Sequence, residues 1–160
     1  MKTDFNKLIP ELQDWNNGDG IDVQSWIECV GSFQKAIGYS TVFWPEFAEV
    51  EGCVVRAGVP AENVRRWLTQ CDGNPSCAEA TINHLHLDGL HYMGCEDISP
   101  ERVAYLGRIL KEIYECKLKR DFPDKTFVVA FDEPDDKEDV ENYILTFYQE
   151  EQNKPSHHTT

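Results

Sequence analysis

The sequence predicts an α+β fold in which about four helices pack on one face of a small, mainly antiparallel sheet of about four strands. Helix-capping residues precede stretches with apolar side chains at helical spacing, and β-branched and aromatic runs alternate with those stretches. Hydrophobic residues make up 41% of the 160 residues, which is enough for a buried core. The length predicts one domain over residues 1–150, followed by a flexible polar tail over residues 151–160, which contain no apolar side chain.

The amino-terminal third contains one predicted helix and two predicted strands. A turn-forming sequence at residues 16–20 follows a short amphipathic stretch. Asp22 is a typical N-cap, and apolar residues at helical spacing after it predict a helix that ends at Gly38. The β-branched and aromatic residues of 39–44 and 47–56 predict two strands, which could form a hairpin around Pro45.

Three helix starts are marked by proline in the rest of the chain, at Pro60, Pro75 and Pro100. The apolar spacing after them predicts helices that end near residues 71, 85 and 118. The runs 126–131 and 142–148 then predict a pair of antiparallel strands.

The charge of the chain excludes several classes of partner. There are 15 Lys and Arg residues against 29 Asp and Glu residues, so the formal net charge is −14. Direct nucleic-acid binding requires a basic surface, and so does docking on anionic lipid. No apolar stretch reaches the length of a membrane span, and the first residues lack the pattern of a secretory signal. We therefore expect a cytoplasmic location.

The six cysteines have wide and irregular spacing without any C-x-x-C motif. In a chain of this length, which can bury a core without cross-links, that spacing favours free thiols that are mostly buried. Cys71 and Cys77 are the one local candidate for a disulfide, because a turn between them could bring their sulfur atoms together. Metal ligation by the cysteines is the third alternative.

A histidine-rich segment is the densest candidate for a metal site. In a helix its side chains at positions 84, 88, 91 and 95 would share one stripe, whereas in a strand those at 84, 86 and 88 would share a face. Imidazole, carboxylate and thiolate groups suit zinc. The alternative is a helix end whose histidines cap carbonyl groups or lie half exposed. The candidate ligands are His84, His86, Asp88 and His91.

An acidic segment between the last two predicted strands is the main candidate for partner binding. It has seven carboxylates and one lysine within residues 132–141. It is either a solvated loop or a surface for a cationic protein, for which complementary charge would raise the association rate. Aromatic residues at element ends could take part, as Tyr and Trp do in many interfaces. The candidate binding residues are Asp132, Glu133, Asp135, Asp136, Glu138, Asp139, Trp44 and Tyr148.

No sequence motif indicates an enzyme. The chain lacks a G-x-S-x-G motif for a nucleophilic serine, and it lacks glycine-rich phosphate-binding motifs. Size, charge and the lack of motifs favour a small acidic binding protein without a cofactor, such as a bacterial immunity or inhibitor protein that neutralises a cationic toxin or nuclease. The alternative is a metal-dependent hydrolase or a metal-binding domain with zinc at the histidine-rich segment. The oligomeric state stays open.

Overall fold

The computed structural model of the chain describes residues 3–91 and 95–150. Within them the fold is mixed, with six α-helices and two antiparallel sheets of two and three strands. The α+β class is therefore confirmed, whereas the predicted count of about four helices and the single sheet of about four strands are wrong. The chain divides into two compact units, Met1–Phe43 and Trp44–Thr160. The predicted tail lies outside the described residues.

The first unit is helical. It contains α1 (Phe5–Leu8), two 3₁₀ turns (Pro10–Asp14 and Asn16–Gly18), α2 (Val23–Val30) and α3 (Phe33–Phe43). Asp22 caps α2 as predicted, because its carboxylate accepts a hydrogen bond from the Ser25 backbone N–H at 3.0 Å. The predicted helix to Gly38 is interrupted at Gly31, which takes an extended conformation. A Cβ at this glycine would overlap the Ile27 carbonyl oxygen.

Residues 39–43 belong to α3, so the prediction of a strand over 39–44 is wrong. The hydroxyl groups of Ser40 and Thr41 donate to carbonyl oxygens three residues earlier, at 2.7 and 2.8 Å. Such local hydrogen bonds fit a helix. A strand needs a partner against which its side chains pack, and none of the described strands pairs with this stretch.

The second unit begins with a two-stranded sheet, β1 (Phe47–Val50) and β2 (Cys53–Arg56). The turn between them consists of Glu51 and Gly52, whose φ angles are 53° and 81°. Two central residues with positive φ match the twist of a hairpin with a two-residue turn. The prediction of one strand over 47–56 and of a hairpin around Pro45 is therefore wrong.

The larger sheet has the strand order β3 (Leu85–His86), β5 (Ile144–Gln149) and β4 (Phe127–Asp132). β4 and β5 are antiparallel, which confirms the predicted pair of strands. Asp132 is opposite Ile144 beside the connecting loop, and Phe127 is opposite Gln149 at the other end.

Three helices complete the second unit, α4 (Ala61–Gln70), α5 (Pro75–Ile82) and α6 (Pro100–Asp121). All three follow their predicted proline starts, although α5 ends before residue 85. Thr146 donates to the Ala80 carbonyl of α5 at 2.9 Å, whereas the ring of its neighbour Phe147 contacts Tyr114 of α6. Adjacent residues of a strand point to opposite faces. The predicted arrangement of all helices on one face is therefore wrong, since α5 and α6 cover opposite faces of β5.

None of the described helices combines the length and the apolar character needed to span a bilayer.

Two groups of apolar side chains form the core of the second unit. One surrounds the rings of Phe47, Tyr114 and Phe147, which meet edge to face with centroids 4.9 to 6.1 Å apart. The other contains Cys53, Val55, Val64 and Ala78. The first group joins α6 to the larger sheet, and the second joins α4 and α5 to β2.

Cys71 and Cys77 form a disulfide, so the expectation of free thiols is wrong for this pair. The turn between α4 and α5 has positive φ angles at Asp72 and Gly73, which reverse the chain. The Cα atoms of the two cysteines are thereby 5.8 Å apart, within the usual range for a disulfide. The remaining cysteines, Cys29, Cys53, Cys95 and Cys116, are free, although Cys29 and Cys116 are exposed rather than buried.

Candidate functional site

The acidic loop, which we define as residues 132–141, begins at the last residue of β4 and leads through the 3₁₀ turn Val140–Asn142 into β5. Local hydrogen bonds fold it. The Asp136 carboxylate accepts from the Glu138 backbone N–H at 3.1 Å, and the Asp139 carboxylate accepts from the Asn142 side chain at 2.6 Å. The loop therefore holds its carboxylates in a defined arrangement.

Contacts with Tyr143 and Arg108 help to fix the acidic loop to the rest of the second unit. The buried Tyr143 donates its hydroxyl hydrogen to the Lys137 carbonyl at 3.1 Å. The Glu133 carboxylate accepts two hydrogen bonds from Arg108 of α6, at 2.9 and 2.6 Å. Partial burial would raise the pKa of Glu133, but the hydrogen bonds and charges of Arg108 and Lys137 outweigh it and hold that pKa below its ordinary value.

The other carboxylates of the acidic loop form no ion pair with a cation of residues 3–91 or 95–150. Asp132, Asp135, Asp136, Glu138 and Glu141 are exposed. Among the ion pairs of the described residues, the only one that uses a carboxylate of this loop besides Arg108–Glu133 is Lys137–Glu133, at 3.4 Å. Like charges held close together repel one another and create a strongly negative potential above the loop.

The predicted aromatic residues lie away from the acidic loop. Tyr148 is four residues from Ile144 along β5, which places it about 13 Å from the loop end of the hairpin. Trp44 contacts Lys117 and Arg120 through its ring. Lys117 lies about 14 Å along α6 from Arg108, which holds the loop. The structure thus brings the predicted carboxylates together but separates them from both aromatic residues.

The histidine-rich segment forms neither a continuous helix nor one extended strand over residues 84–91. It forms β3 and a 3₁₀ turn, Asp88–His91. His86 contacts the Glu141 carbonyl oxygen through Nδ1 at 3.0 Å, and the rings of His84 and His86 are 6.3 Å apart. In the described part of the chain no three His, Cys, Asp or Glu side chains are placed to share a metal ion. The chosen ligands His84, His86, Asp88 and His91 therefore do not converge on one point.

The thiols near acidic groups are poor candidates for nucleophiles. Burial, together with the charge of Glu79, raises the pKa of Cys53 to about 11. Cys95 donates a hydrogen bond to the Asp97 carboxylate at 2.9 Å, which raises the pKa of Cys95. A nucleophilic cysteine requires the opposite shift, because the thiolate is the reactive form.

A cleft of about 580 Å³ opens in the first unit between the 3₁₀ turns and the start of α2. Three of its polar side chains, those of Asn16, Asp22 and Ser25, take part in hydrogen bonds within the unit. The Asp22 carboxylate accepts from the backbone N–H and the hydroxyl group of Ser25, and the Asn16 side chain donates to the Gly20 carbonyl at 3.0 Å. The cleft is lined by Asn6, Leu12, Gln13, Asn16, Gly18, Asp19, Gly20, Ile21, Asp22 and Ser25.

Glu79 of α5 is a fully buried carboxylate that joins the two sheets. One oxygen accepts from the Val54 backbone N–H at 2.5 Å, and the other accepts from the Gln149 backbone N–H at 2.5 Å. One turn later, Asn83 donates to the carbonyl oxygens of Val54 and Phe147 at 2.9 and 3.1 Å. Side chains of one helix therefore satisfy backbone groups of β2 and of β5.

The pH dependence of folding should report the burial of Glu79. Burial is the largest influence and raises the pKa of Glu79 above its ordinary 4.5, although hydrogen bonds from Gln149 and Val54 lower it in part. Because folded Glu79 then holds its proton to a higher pH than the unfolded chain does, this contribution to stability is complete below pH 4.5 and is lost as the pH rises through the raised pKa. Relative to Glu79→Gln, the free energy of unfolding of the wild type should fall over that interval.

Urea denaturation of both proteins at a series of pH values measures this difference. Glu112→Gln, which changes an exposed carboxylate of α6, is the matched control and should follow the wild type at every pH. Parallel curves for the wild type and Glu79→Gln would contradict the raised pKa.

Comparison of the chain with protein-family models, curated proteins and solved structures finds no match. A proposal for the function therefore rests on the geometry and charge of the chain's own residues.

Arg108 and Tyr143 hold the acidic loop but were not among the predicted site residues. Arg108 is 25 residues from Glu133 in the sequence, and no local pattern indicates their contact.

Proposed function

We propose that the chain is a small protein-binding module whose acidic loop binds a cationic protein. The observation that carries this proposal is a cluster of exposed carboxylates that have no cation partner among the residues the structure describes. They lie on a loop that Arg108, Tyr143 and local hydrogen bonds hold in place. A bacterial immunity or inhibitor protein that neutralises a basic toxin or nuclease is the class that best fits this surface and the net charge of −14.

The fixed arrangement of the loop favours such binding in two ways. A concentrated negative potential steers a cationic partner toward the loop and raises the association rate. A loop that is already ordered loses less conformational freedom when the partner binds. Cationic side chains that approach the loop would also reduce the repulsion among its carboxylates. This decrease in repulsion favours binding in addition to the direct attraction.

Trp44 and Tyr148 are less suited to the same contact. Tyr148 lies about 13 Å along β5 from the loop end. Trp44 contacts Lys117, which lies about 14 Å along α6 from Arg108, the residue that holds the loop. We therefore propose the other carboxylates of the loop as the binding residues, whereas Glu133 attaches the loop to Arg108.

The Cys71–Cys77 disulfide favours an oxidising compartment over the cytoplasm. Binding requires only that the partner share that compartment.

Neutralising four unpaired carboxylates should slow association with a cationic probe. The variant combines Asp132→Asn, Asp135→Asn, Glu138→Gln and Glu141→Gln, none of whose side chains makes a hydrogen bond or ion pair in the described structure. We expect the association rate constant for a fluorophore-labelled oligolysine peptide to fall about 10-fold at low ionic strength, and the dependence of that rate on salt to become weaker. Stopped-flow fluorescence over a range of salt concentrations measures both.

The matched control removes the same number of charges from exposed positions elsewhere in the second unit, with Glu46→Gln, Asp72→Asn, Glu112→Gln and Asp124→Asn. Because both variants have the same net charge, a larger effect of the first one reports the local potential of the loop. If the two variants slow association equally, only the total charge matters and the acidic loop is not the binding surface.

A further inference from the structure

The Cys71–Cys77 disulfide closes the turn between α4 and α5, and its two cysteines differ in exposure. Cys71 is the half-buried C-cap of α4 and packs against the core group that joins α4 and α5 to β2. Cys77 is exposed in the first turn of α5. Access decides which sulfur of a disulfide is attacked. A thiolate from solvent therefore meets Cys77 first.

Hydrogen bonds hold the same turn independently of the disulfide. The Gly73 N–H donates to the Leu68 carbonyl at 2.8 Å, and the Asn74 N–H donates to the Cys71 carbonyl at 2.9 Å. The Asn74 side chain is the N-cap of α5 and accepts from the Cys77 N–H at 3.2 Å. These contacts keep the two cysteines close to each other when the disulfide is open, so that it can close again.

The start of α5 is also fixed to β5 by contacts other than the disulfide. The Ser76 hydroxyl donates to the Gln149 carbonyl at 2.5 Å, and Thr146 donates to the Ala80 carbonyl at 2.9 Å. Glu79 lies between these two contacts. The cysteines are only six positions apart in the sequence, and such a short loop restricts the unfolded chain less than a long one does. We therefore expect α5 to keep its place after the disulfide opens.

We propose that Cys77 is a site of thiol–disulfide exchange and that Cys71 is its resolving cysteine. The thiolate of an incoming thiol attacks the sulfur of Cys77 and forms a mixed disulfide, and the sulfur of Cys71 leaves as a thiolate that takes a proton from solvent. In the reverse step the Cys71 thiolate attacks the sulfur of Cys77, expels the incoming thiol as a thiolate and restores the original bond. One disulfide replaces another in each step, so no further oxidant or reductant is required.

This exchange site is separate from the proposed binding surface. Ser76 contacts Gln149, which lies at the end of the β4–β5 pair opposite to the acidic loop. The exchange reaction therefore needs no carboxylate of that loop, and each of the two proposals can fail without the other.

The position of the mixed disulfide tests which sulfur is attacked. The wild type is treated briefly with reduced glutathione without denaturant, free thiols are blocked with N-ethylmaleimide, and peptide mass spectrometry locates the glutathione. We expect at least about 10-fold more glutathione on Cys77 than on Cys71. An equal distribution, or an excess on Cys71, overturns the proposal.

A second thiol identifies the source of the attacking group. Reduced thioredoxin, a protein with two neighbouring thiols, opens the disulfide in parallel with glutathione, and each rate is divided by the rate of the same thiol with 2-hydroxyethyl disulfide. A larger ratio for thioredoxin assigns the site to a protein thiol, and a larger ratio for glutathione assigns it to a small thiol.

Single-cysteine variants form the matched pair. Cys71→Ser and Cys77→Ser each leave one cysteine of the disulfide, in a background in which the exposed Cys29 and Cys116 are also replaced by serine. Oxidised glutathione should modify Cys77 of the first variant at least about 10-fold faster than Cys71 of the second. Equal rates would contradict the difference in access. Far-UV circular dichroism should give the same helix content for both.

Urea separates attack on the folded protein from attack after unfolding. The rate at which dithiothreitol reduces the wild type should not change with urea below the unfolding transition, because the exposed Cys77 needs no opening of the fold. A rate that rises steeply with urea in this range overturns the proposal. So does a reduced protein that loses its helix content, since the disulfide would then be a structural cross-link.

Discussion

Glu79→Ala is expected to lower the free energy of unfolding by about 4 kcal/mol. The substitution removes the acceptor for two backbone N–H groups, those of Val54 and Gln149. A buried donor that loses its partner costs about 1–3 kcal/mol. The substitution also removes one of the two side chains, Glu79 and Asn83, that join β2 to β5, and the methyl group of alanine cannot replace it.

Urea denaturation followed by far-UV circular dichroism measures this loss. Glu112→Ala removes an exposed glutamate from a helix and should change the free energy of unfolding by less than about 0.5 kcal/mol. If both alanine variants are equally stable, Glu79 contributes nothing beyond its helix propensity, and Asn83 and apolar packing hold the two sheets together without it.

Gly107→Ala is expected to lower the free energy of unfolding by about 2 kcal/mol, although alanine favours a helix over glycine by about 1 kcal/mol. A Cβ at this buried position of α6 would overlap the ring of Phe131 and would lie 2.8 Å from a methyl carbon of Leu87. The helix can therefore approach the larger sheet this closely only because residue 107 has no side chain.

A double-mutant cycle with Phe131→Leu identifies the cause of this loss. Leucine lacks the outer ring atoms that a Cβ at position 107 would meet, so Phe131→Leu should cost less in the Gly107→Ala background than in the wild type. Gly38→Ala, in α3, has open space around the added carbon and should not destabilise the protein. Strict additivity of the two substitutions in the cycle would show that the overlap is relieved in another way.

The helices of the second unit could be predicted because their signals are local. Asn74 and Ser99 each accept a hydrogen bond from a backbone N–H of the first turn, at Cys77 and Arg102, directly before the proline-marked helix starts. The predictions of secondary structure are wrong where the conformation of a segment depends on whether another strand pairs with it or on the conformation of a turn. The β-branched residues of 39–43 form a helix, and none of the strands that the structure describes pairs with them. The positive φ angles of Glu51 and Gly52 divide the predicted strand over 47–56 into two.

The candidate site could be predicted in part for the same reason. The carboxylates of the acidic loop are adjacent in the sequence, and any compact connection between β4 and β5 brings them together. The placement of Trp44 and Tyr148 depends instead on the register of β5 and on the contacts of α6. The Cys71–Cys77 disulfide depends on the reversal of the chain at Asp72 and Gly73, which spacing alone does not reveal.

The hydrogen bonds from α5 to Val54 have a consequence for the solubility of the chain. An edge strand whose amide and carbonyl groups are unpaired can recruit a strand of another molecule and start fibre growth. Glu79 and Asn83 occupy both groups of Val54, the central part of β2, with side chains of the molecule itself. Because Val54 is fully buried, loss of either side chain would leave one of its backbone groups without a partner inside the molecule. Partial opening around β2 would then present this edge to other chains, and aggregation would follow from that opening.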